Sequence, residues 1–268
     1  MIATNTNIAA PLVLHTHQVH IWQAALPQVD AQALHDAMGL LSPLERTQHG
    51  RFHFEKDRHC YLVTRWMVRT VLSRYVPSIA PVDWTFVPGP YGRPQITNPL
   101  PAAQALRFNL SHCDGVVVLA VTAGRAVGID TENTSRHAPL EVADHFFSPR
   151  EAQALRSLPA TEQALRFWEL WTFKESYIKA RGMGVSLPLA QFSMDLGTPS
   201  HVAIAFDGIA DDPAAWQLWH YQVGPHHRVA LCLQRAGPQP TEVSFWPFPL
   251  LDAAQPVAVC TTRCSAKC

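Results

Sequence analysis

Four short stretches of this sequence gather side chains that can hold charge or move a proton. In Val127-Gly128-Ile129-Asp130-Thr131-Glu132 the side chains of an extended strand alternate, so Asp130 and Glu132 leave one face and Ile129 and Thr131 the other. Two carboxylates side by side repel unless something positive lies between them, and a hard divalent cation with oxygen ligands is a natural occupant. A solvated strand end carries the same pattern. On a helix, Trp171, Glu175 and Lys179 stand four apart and share one face. Glu175 and Lys179 are there either a simple helical salt bridge, worth only ~0.3–0.5 kcal/mol, or a third metal ligand and a phosphate clamp. Phe108-Asn109-Leu110-Ser111-His112 reads as a strand ending in a hydroxyl and an imidazole, both able to bond phosphate oxygens. Gly89-Pro90-Tyr91-Gly92-Arg93-Pro94 is a tight turn that holds up one arginine, a side chain suited to bidentate phosphate recognition. None of the four is specific alone.

The elements that must position these groups are legible from pattern and punctuation. Ser42-Pro43 starts a helix whose periodicity (Tyr61, Leu62, Arg65, Trp66, Arg69, Leu72, Val76) runs to the stop at Pro77, with a break near Phe54. A second long helix begins near Thr161 and runs to Arg181, where Gly182 ends it. Between them Ser148-Pro149-Arg150-Glu151 forms a capping box that opens a shorter helix. Strands are expected at residues 19–25, 84–87, 106–110 and 116–121, then at 126–132, 192–196, 202–206, 216–223 and 228–234, with a turn at 122–125. Each half therefore reads as several strands packed on one long helix, an α+β arrangement. After Gly237 the composition turns to Pro, Thr and Ala, and order is expected to decline, with Phe245, Trp246 and Phe248 available to dock on the body.

Bulk properties exclude several classes. With 268 residues, 47% apolar and 16% charged, the chain is long enough for one large domain or two moderate ones and is too apolar for disorder. Lys+Arg and Asp+Glu balance at 21 each, so no global positive field draws nucleic acid. The longest apolar runs, such as 116–121, fall far short of the roughly 20 residues a spanning helix needs. No basic region precedes an apolar stretch at the N-terminus, which makes the cytoplasm the expected location. The six cysteines are expected as mostly reduced thiols, with Cys260, Cys264 and Cys268 free in a flexible tail.

Taken in order, Tyr91-Gly92-Arg93-Pro94, Phe108-Asn109-Leu110-Ser111-His112, Gly128-Ile129-Asp130-Thr131-Glu132 and Trp171-Thr172-Phe173-Lys174-Glu175-Ser176-Tyr177-Ile178-Lys179 resemble the successive motifs of the 4'-phosphopantetheinyl transferases. The larger, surfactin-synthetase-activating (Sfp) type is the nearer likeness. The resemblance extends to Arg51-Phe52 and to residues 182–189 and covers roughly 41 to 196. It implies two similar, pseudo-twofold-related α+β halves in one monomeric chain with the active site in the cleft between them. Residues 1–124 and 125–237 would be the halves, the second carrying the metal-binding motifs, and 238–268 a partly flexible extension.

It further implies transfer of the phosphopantetheine arm of coenzyme A to a serine of an apo acyl or peptidyl carrier protein, with no part for nucleic acid or membrane. Asp130, Glu132 and Glu175 would hold Mg²⁺, and Glu175 would serve also as the base. Asp130 and Lys179 would complete the catalytic set. Arg51, Gly92, Arg93, Pro94, Ser111, His112, Lys174 and Lys179 would contact coenzyme A, Arg93 at the nucleotide end. One departure stands out: the lysines that a member of the resembling family carries for the 3'-phosphate, at the start of the first helix, correspond to Glu45 and Gln48. Arg46, Arg51, Lys56 and Arg58 are the basic residues nearby. That change is the motive for an alternative, a non-catalytic regulator that binds coenzyme A or carriers.

Overall fold

A computed structural model describes residues 11–249 and 255–265. Its strands are β1 (Gln18–Ala25), β2 (Phe86–Pro88), β3 (Pro94–Ile96), β4 (Leu106–Cys113), β5 (Val116–Ala123), β6 (Val127–Asn133), β7 (Phe192–Asp195), β8 (Ala203–Phe206), β9 (Trp216–Val223), β10 (His227–Gln234), β11 (Glu242–Phe248) and β12 (Cys260–Cys264). Its helices are α1 (Ala31–Ala37), α2 (Pro43–Arg51), α3 (Glu55–Tyr75), the single turns α4 (Pro101–Gln104) and α5 (Ala143–Phe146), α6 (Pro149–Arg156) and α7 (Ala160–Arg181).

Two four-stranded sheets form, in the orders β11-β1-β5-β4 and β12-β9-β10-β6. The same sequence of elements builds each one. A strand, a long helix, a short hairpin and two more strands follow one another as β1, α3, β2–β3, β4, β5 and again as β6, α7, β7–β8, β9, β10. In both sheets the first strand pairs antiparallel with the last, and the last with the one before it. The mixed α+β architecture read from the sequence is what the chain adopts.

Burial explains the layering. Trp22, Val117, Leu119 and Val121 cover one face of the first sheet with Val63, Met67 and Val71 of α3. Leu170, Phe173 and Tyr177 of α7 pack on Leu218, Ala230 and Cys232 of the second sheet. The remaining faces meet each other through Val19, Ile21, Val118 and Ala120 on one side and Ile129, Val229 and Leu231 on the other. Strand β5 is buried on both faces, which is why residues 116–121 are an unbroken apolar run rather than an alternating one.

Helix starts follow the capping chemistry. Ser42 and Ser148 each accept from the backbone N–H three residues on, while Glu45 and Glu151 reach back to the cap N–H. Phe54 interrupts the first helical run in extended conformation, and Gly182 ends α7 at φ +65°, in the left-handed region that suits glycine. Pattern alone missed α1 and β3, both short.

After Gly237 the aromatic residues offered by the sequence do dock on the body, and the described residues are more ordered than composition suggested. Strand β11 lies parallel to β1 and completes the first sheet, with Phe245 and Phe248 buried, and β12 pairs with β9 as the edge of the second. Cys264 is disulfide-bonded, whereas Cys60, Cys113, Cys232 and Cys260 are free, so the tail is not a run of free thiols. Residues 250–254 and 266–268, the latter including Cys268, lie outside the described residues. Among the described residues no helix is long and apolar enough to cross a membrane.

Candidate active site

The free edge of the first sheet, β4, runs beside the free edge of the second, β6. Hydrogen bonding across this seam is by side chains: Asn109 Oδ1 accepts from the Ile129 N–H at 2.8 Å, and Ser111 Oγ donates to Asp130 Oδ1 at 2.9 Å. Strand β4 continues through Cys113, so Ser111 and His112 lie inside it rather than at its end. Helix α7 covers the seam at very short range. A Cβ on Gly128 would fall 2.0 Å from the Ser176 carbonyl oxygen and 2.3 Å from the Ala180 nitrogen. Only glycine lets the helix backbone come this close. The approach brings Lys179 within reach of β6, where its Nζ donates to Asp130 Oδ1 at 2.6 Å and to Ser111 Oγ at 2.9 Å.

Asp130, Glu132 and Glu175 border one cavity of about 370 Å³, together with Ser111, His112, Trp171 and Lys179. Asp130 is only 5% exposed, and its Oδ2 is buried with no hydrogen-bond partner among the described residues. Burial, and then the Asp130 charge, pushes the Glu132 carboxyl up to about 7; Arg136, 3.6 Å away, offsets part of this. The same two causes raise Glu175, against the pull of Lys179. Partial burial and the Lys179 charge lower His112, so its ring is neutral near pH 7. The carboxylates are thus crowded and short of positive charge.

They do not yet converge. Among the described residues no three His, Cys, Asp or Glu side chains are placed to hold a metal ion together. The three acidic groups share a cavity, in which Lys179 holds the Asp130 oxygen and Glu132 leans toward Arg136.

Two further lobes extend the cavity into a cleft. One, of about 480 Å³, lies between α3 and the end of β4 and is bordered by Lys56, His59, Tyr61, Arg65 and His112. The other, of about 260 Å³, is bordered by Arg65, Gly92, Arg93, Pro94, Leu110 and Lys179. Leu110 borders all three lobes.

With this geometry in hand, known proteins give a consistent likeness. Residues 26–124 match the model of the 4'-phosphopantetheinyl transferase N-terminal region, and 126–232 that of the 4'-phosphopantetheinyl transferase superfamily. The 4'-phosphopantetheinyl transferase Sfp of Bacillus subtilis (strain 168) is 35% identical over 195 residues, 73% of this chain and 83% of that protein. The chain belongs to the 4'-phosphopantetheinyl transferase superfamily. The 4'-phosphopantetheinyl transferase HetI of Nostoc sp. (strain PCC 7120) is likewise 35% identical, over 65% of this chain and 73% of its own length.

Measured against the superfamily's motifs, the structure brings Ser111, His112, Asp130, Glu132, Glu175 and Lys179 to one cavity, and Gly92, Arg93 and Pro94 to the neighbouring lobe. Three expectations need correction. Lys174 is fully buried; its ammonium lies 2.7 Å from Glu151 Oε2 and donates to the Leu189 and Phe192 carbonyls at 2.9 and 2.5 Å, so it is not free for a ligand. Arg93 spends its guanidinium on backbone: Nη2 donates to Phe108 O at 2.7 Å and Val127 O at 3.1 Å, and Nη1 to Lys179 O at 2.9 Å. It ties β4, β6 and α7 together. Arg51 is exposed in the last turn of α2 and borders none of the three lobes, although its neighbour Phe52 does.

Glu45, at one of the two positions that depart from the resembling family member, is structural. It closes the α2 capping box and pairs with the buried Arg69 at 2.7 Å. Sequence reading passed over Arg65 and Gly128. Arg65 could have been found from its place on one helical face with Tyr61 and Arg69; its guanidinium lies 4.9 Å from the Tyr61 ring centroid. For Gly128, a glycine on the same strand face as two carboxylates was the available signal.

Proposed function

We propose that the chain transfers the phosphopantetheine arm of coenzyme A to a serine hydroxyl of an apo acyl or peptidyl carrier protein. The observation that carries this is the cluster at the seam: Lys179, Ser111 and Asp130 linked by hydrogen bonds in the same cavity as Glu132 and Glu175. In the step, the serine oxygen bonds to the phosphorus that bears the pantetheine arm. The bond from that phosphorus to the bridging oxygen of the diphosphate breaks, and 3',5'-ADP leaves with the electron pair.

Lys179 supplies positive charge and N–H donors where the diphosphate must lie, with the Ser111 hydroxyl beside it. His112, neutral near pH 7, offers a ring N–H or acceptor at the rim. Glu175, whose carboxyl is raised above its ordinary value by burial and by Asp130, suits a base that takes the serine proton.

The donor set fits a hard divalent cation: three carboxylates around one cavity, an Asp130 Oδ2 without a partner among the described residues, and carboxyls raised by burial and by one another's charge. Mg²⁺ held by Asp130, Glu132 and Glu175 would offset charge on the departing diphosphate. Because both halves supply walls of the cleft, one copy of the chain suffices, and we read it as a monomer. The carrier is expected beside Phe146, which is exposed and meets Trp171 edge-on at 5.5 Å.

The test is a mass measurement. Incubation with coenzyme A, Mg²⁺ and a panel of apo carriers should add one phosphopantetheine arm, and Asp130→Ala should lower the rate by on the order of 10²–10³-fold without unfolding the chain. Calorimetric binding of coenzyme A with no mass gain on any carrier would favour the regulator instead.

A further inference from the structure

Next to the loop that carries Arg93 lies a groove of about 530 Å³, larger than any of the three lobes of the cleft, and none of the three carboxylates borders it. It meets the cleft only at the rim, through Tyr91, Arg93, Pro94, Phe108 and Gly182. Its walls carry Arg93, Arg107, Arg181, Gln95, Gln104 and Gln234, and no Asp or Glu lines it.

Charge is unbalanced there. Arg181 is neutralised by its ion pair with Asp211, but Arg93 and Arg107 form no ion pair with any described carboxylate. The bonds they make are all to backbone carbonyls: Phe108, Val127 and Lys179 for Arg93, and Gln104 and Leu106 for Arg107. Carbonyls fix a guanidinium in place without cancelling its charge. The two cations also lie near enough to oppose each other, since Arg107 adds to burial in lowering Arg93. Arg125 and Arg235, next in sequence to the groove residues Gly124, Ala126 and Gln234, are likewise bonded to neutral acceptors only. A chain with no net charge thus places two arginines without carboxylate partners in the wall of one groove. Two like charges beside a groove with polar amide walls lack only an anion.

We infer that this groove binds a phosphate-bearing anion, with Arg107 as its principal ligand and Arg93 as its floor. Arg107 is exposed, and its Nε and Nη2 make no hydrogen bond to any described residue, so it has donors to offer. Two sources supply this chemistry: a free phosphate or diphosphate ion, and the nucleotide-end phosphate of coenzyme A reaching over the Arg93 rim. Only the second rests on the transferase reading.

The experiment uses the full chain and compares wild type, Arg107→Gln and, as a control for net charge, Arg156→Gln. Calorimetry without metal measures inorganic pyrophosphate, coenzyme A and dephospho-coenzyme A. A loss of about tenfold or more in pyrophosphate affinity in Arg107→Gln alone establishes the free-ion source. A similar loss for coenzyme A but not for dephospho-coenzyme A establishes the nucleotide-end source. Unchanged affinities for all three probes, or equal losses in the Arg156→Gln control, overturn the site. Pyrophosphate binding does not depend on transfer, so the inference and the proposed activity fail separately.

Discussion

At Glu132 a single carboxyl reports the electrostatics of the whole cavity. Its pKa is pushed up to about 7 by burial and by Asp130, against an ordinary 4.5, so between these values the folded chain holds a proton that the unfolded chain has released. Stability conferred by that proton is therefore complete at low pH and is lost as pH rises through 7. Glu132→Gln, which keeps the shape and removes the ionisation, should match wild type near pH 5. By pH 8 it should exceed wild type by about 2–3 kcal/mol in metal-free urea unfolding. A constant difference across that range would show that the carboxylates are not crowded as described. Lys174 supplies the contrasting case. Its ammonium is buried against Glu151 Oε2, which also accepts from the Ser148 N–H, while Glu151 Oε1 accepts from the Met194 N–H. Lys174→Met should cost about 3–5 kcal/mol by stranding that carboxylate, yet leave the coenzyme A affinity of the remaining folded protein unchanged. Were Lys174 a ligand contact, affinity would fall and stability would hold.

Between β6 and α7 the decisive residue carries no chemistry at all. Gly128 permits contact between strand and helix backbones, and that contact sets the distance from Lys179 to Asp130. Gly128→Ala must push α7 outward, because backbone cannot turn aside as a side chain can. The expected result is a lower thermal midpoint, corresponding to at least about 1–3 kcal/mol as in overpacked cores, with transfer activity per folded molecule reduced as well. An Ala variant as active and as stable as wild type would disprove the close approach. This position also marks the limit of what the sequence shows. Capping boxes at Ser42 and Ser148, the break at Phe54 and the stop at Gly182 are local events, decided within a few residues, and they were readable. The alternation that put Asp130 and Glu132 on one face was readable for the same reason. Whether Lys174 and Arg93 turn toward the ligand or into the protein depends on partners fifteen or more residues away, such as Leu189, Phe108 and Lys179. Periodicity does not encode such partners. The family motif located both residues without giving their direction.

Across the whole molecule, the two sheets are finished by a segment that composition marks as a loose end. Strand β11 returns from the second half to lie against β1, carrying Phe245 into the layer between the sheets and Phe248 onto α3. Phe248 meets Trp66 edge-on at 4.7 Å, Phe245 meets Tyr221 at 4.8 Å, and Trp246 stacks on Trp22 at 5.4 Å. Pro and Ala enrichment lowers local propensity, but aromatic burial outweighs it. Parallel pairing with a strand more than two hundred residues earlier leaves no local trace in the sequence. Arg125, at the crossing between the halves, is held by the same return: its guanidinium donates to Thr241 as well as to Thr16, Gln217 and Gln234. Phe245→Ala and Phe248→Ala should each lower unfolding free energy by about 3–5 kcal/mol. Ending the chain after Gly237 removes both phenylalanines together with Trp246 and exposes β1 as an open edge. The combined loss is comparable to the ~5–15 kcal/mol that holds a typical domain folded, so the shortened chain should lose its cooperative urea transition. A dispensable extension would instead leave midpoint and slope where they are in the full chain, and circular dichroism through a urea series separates the two outcomes.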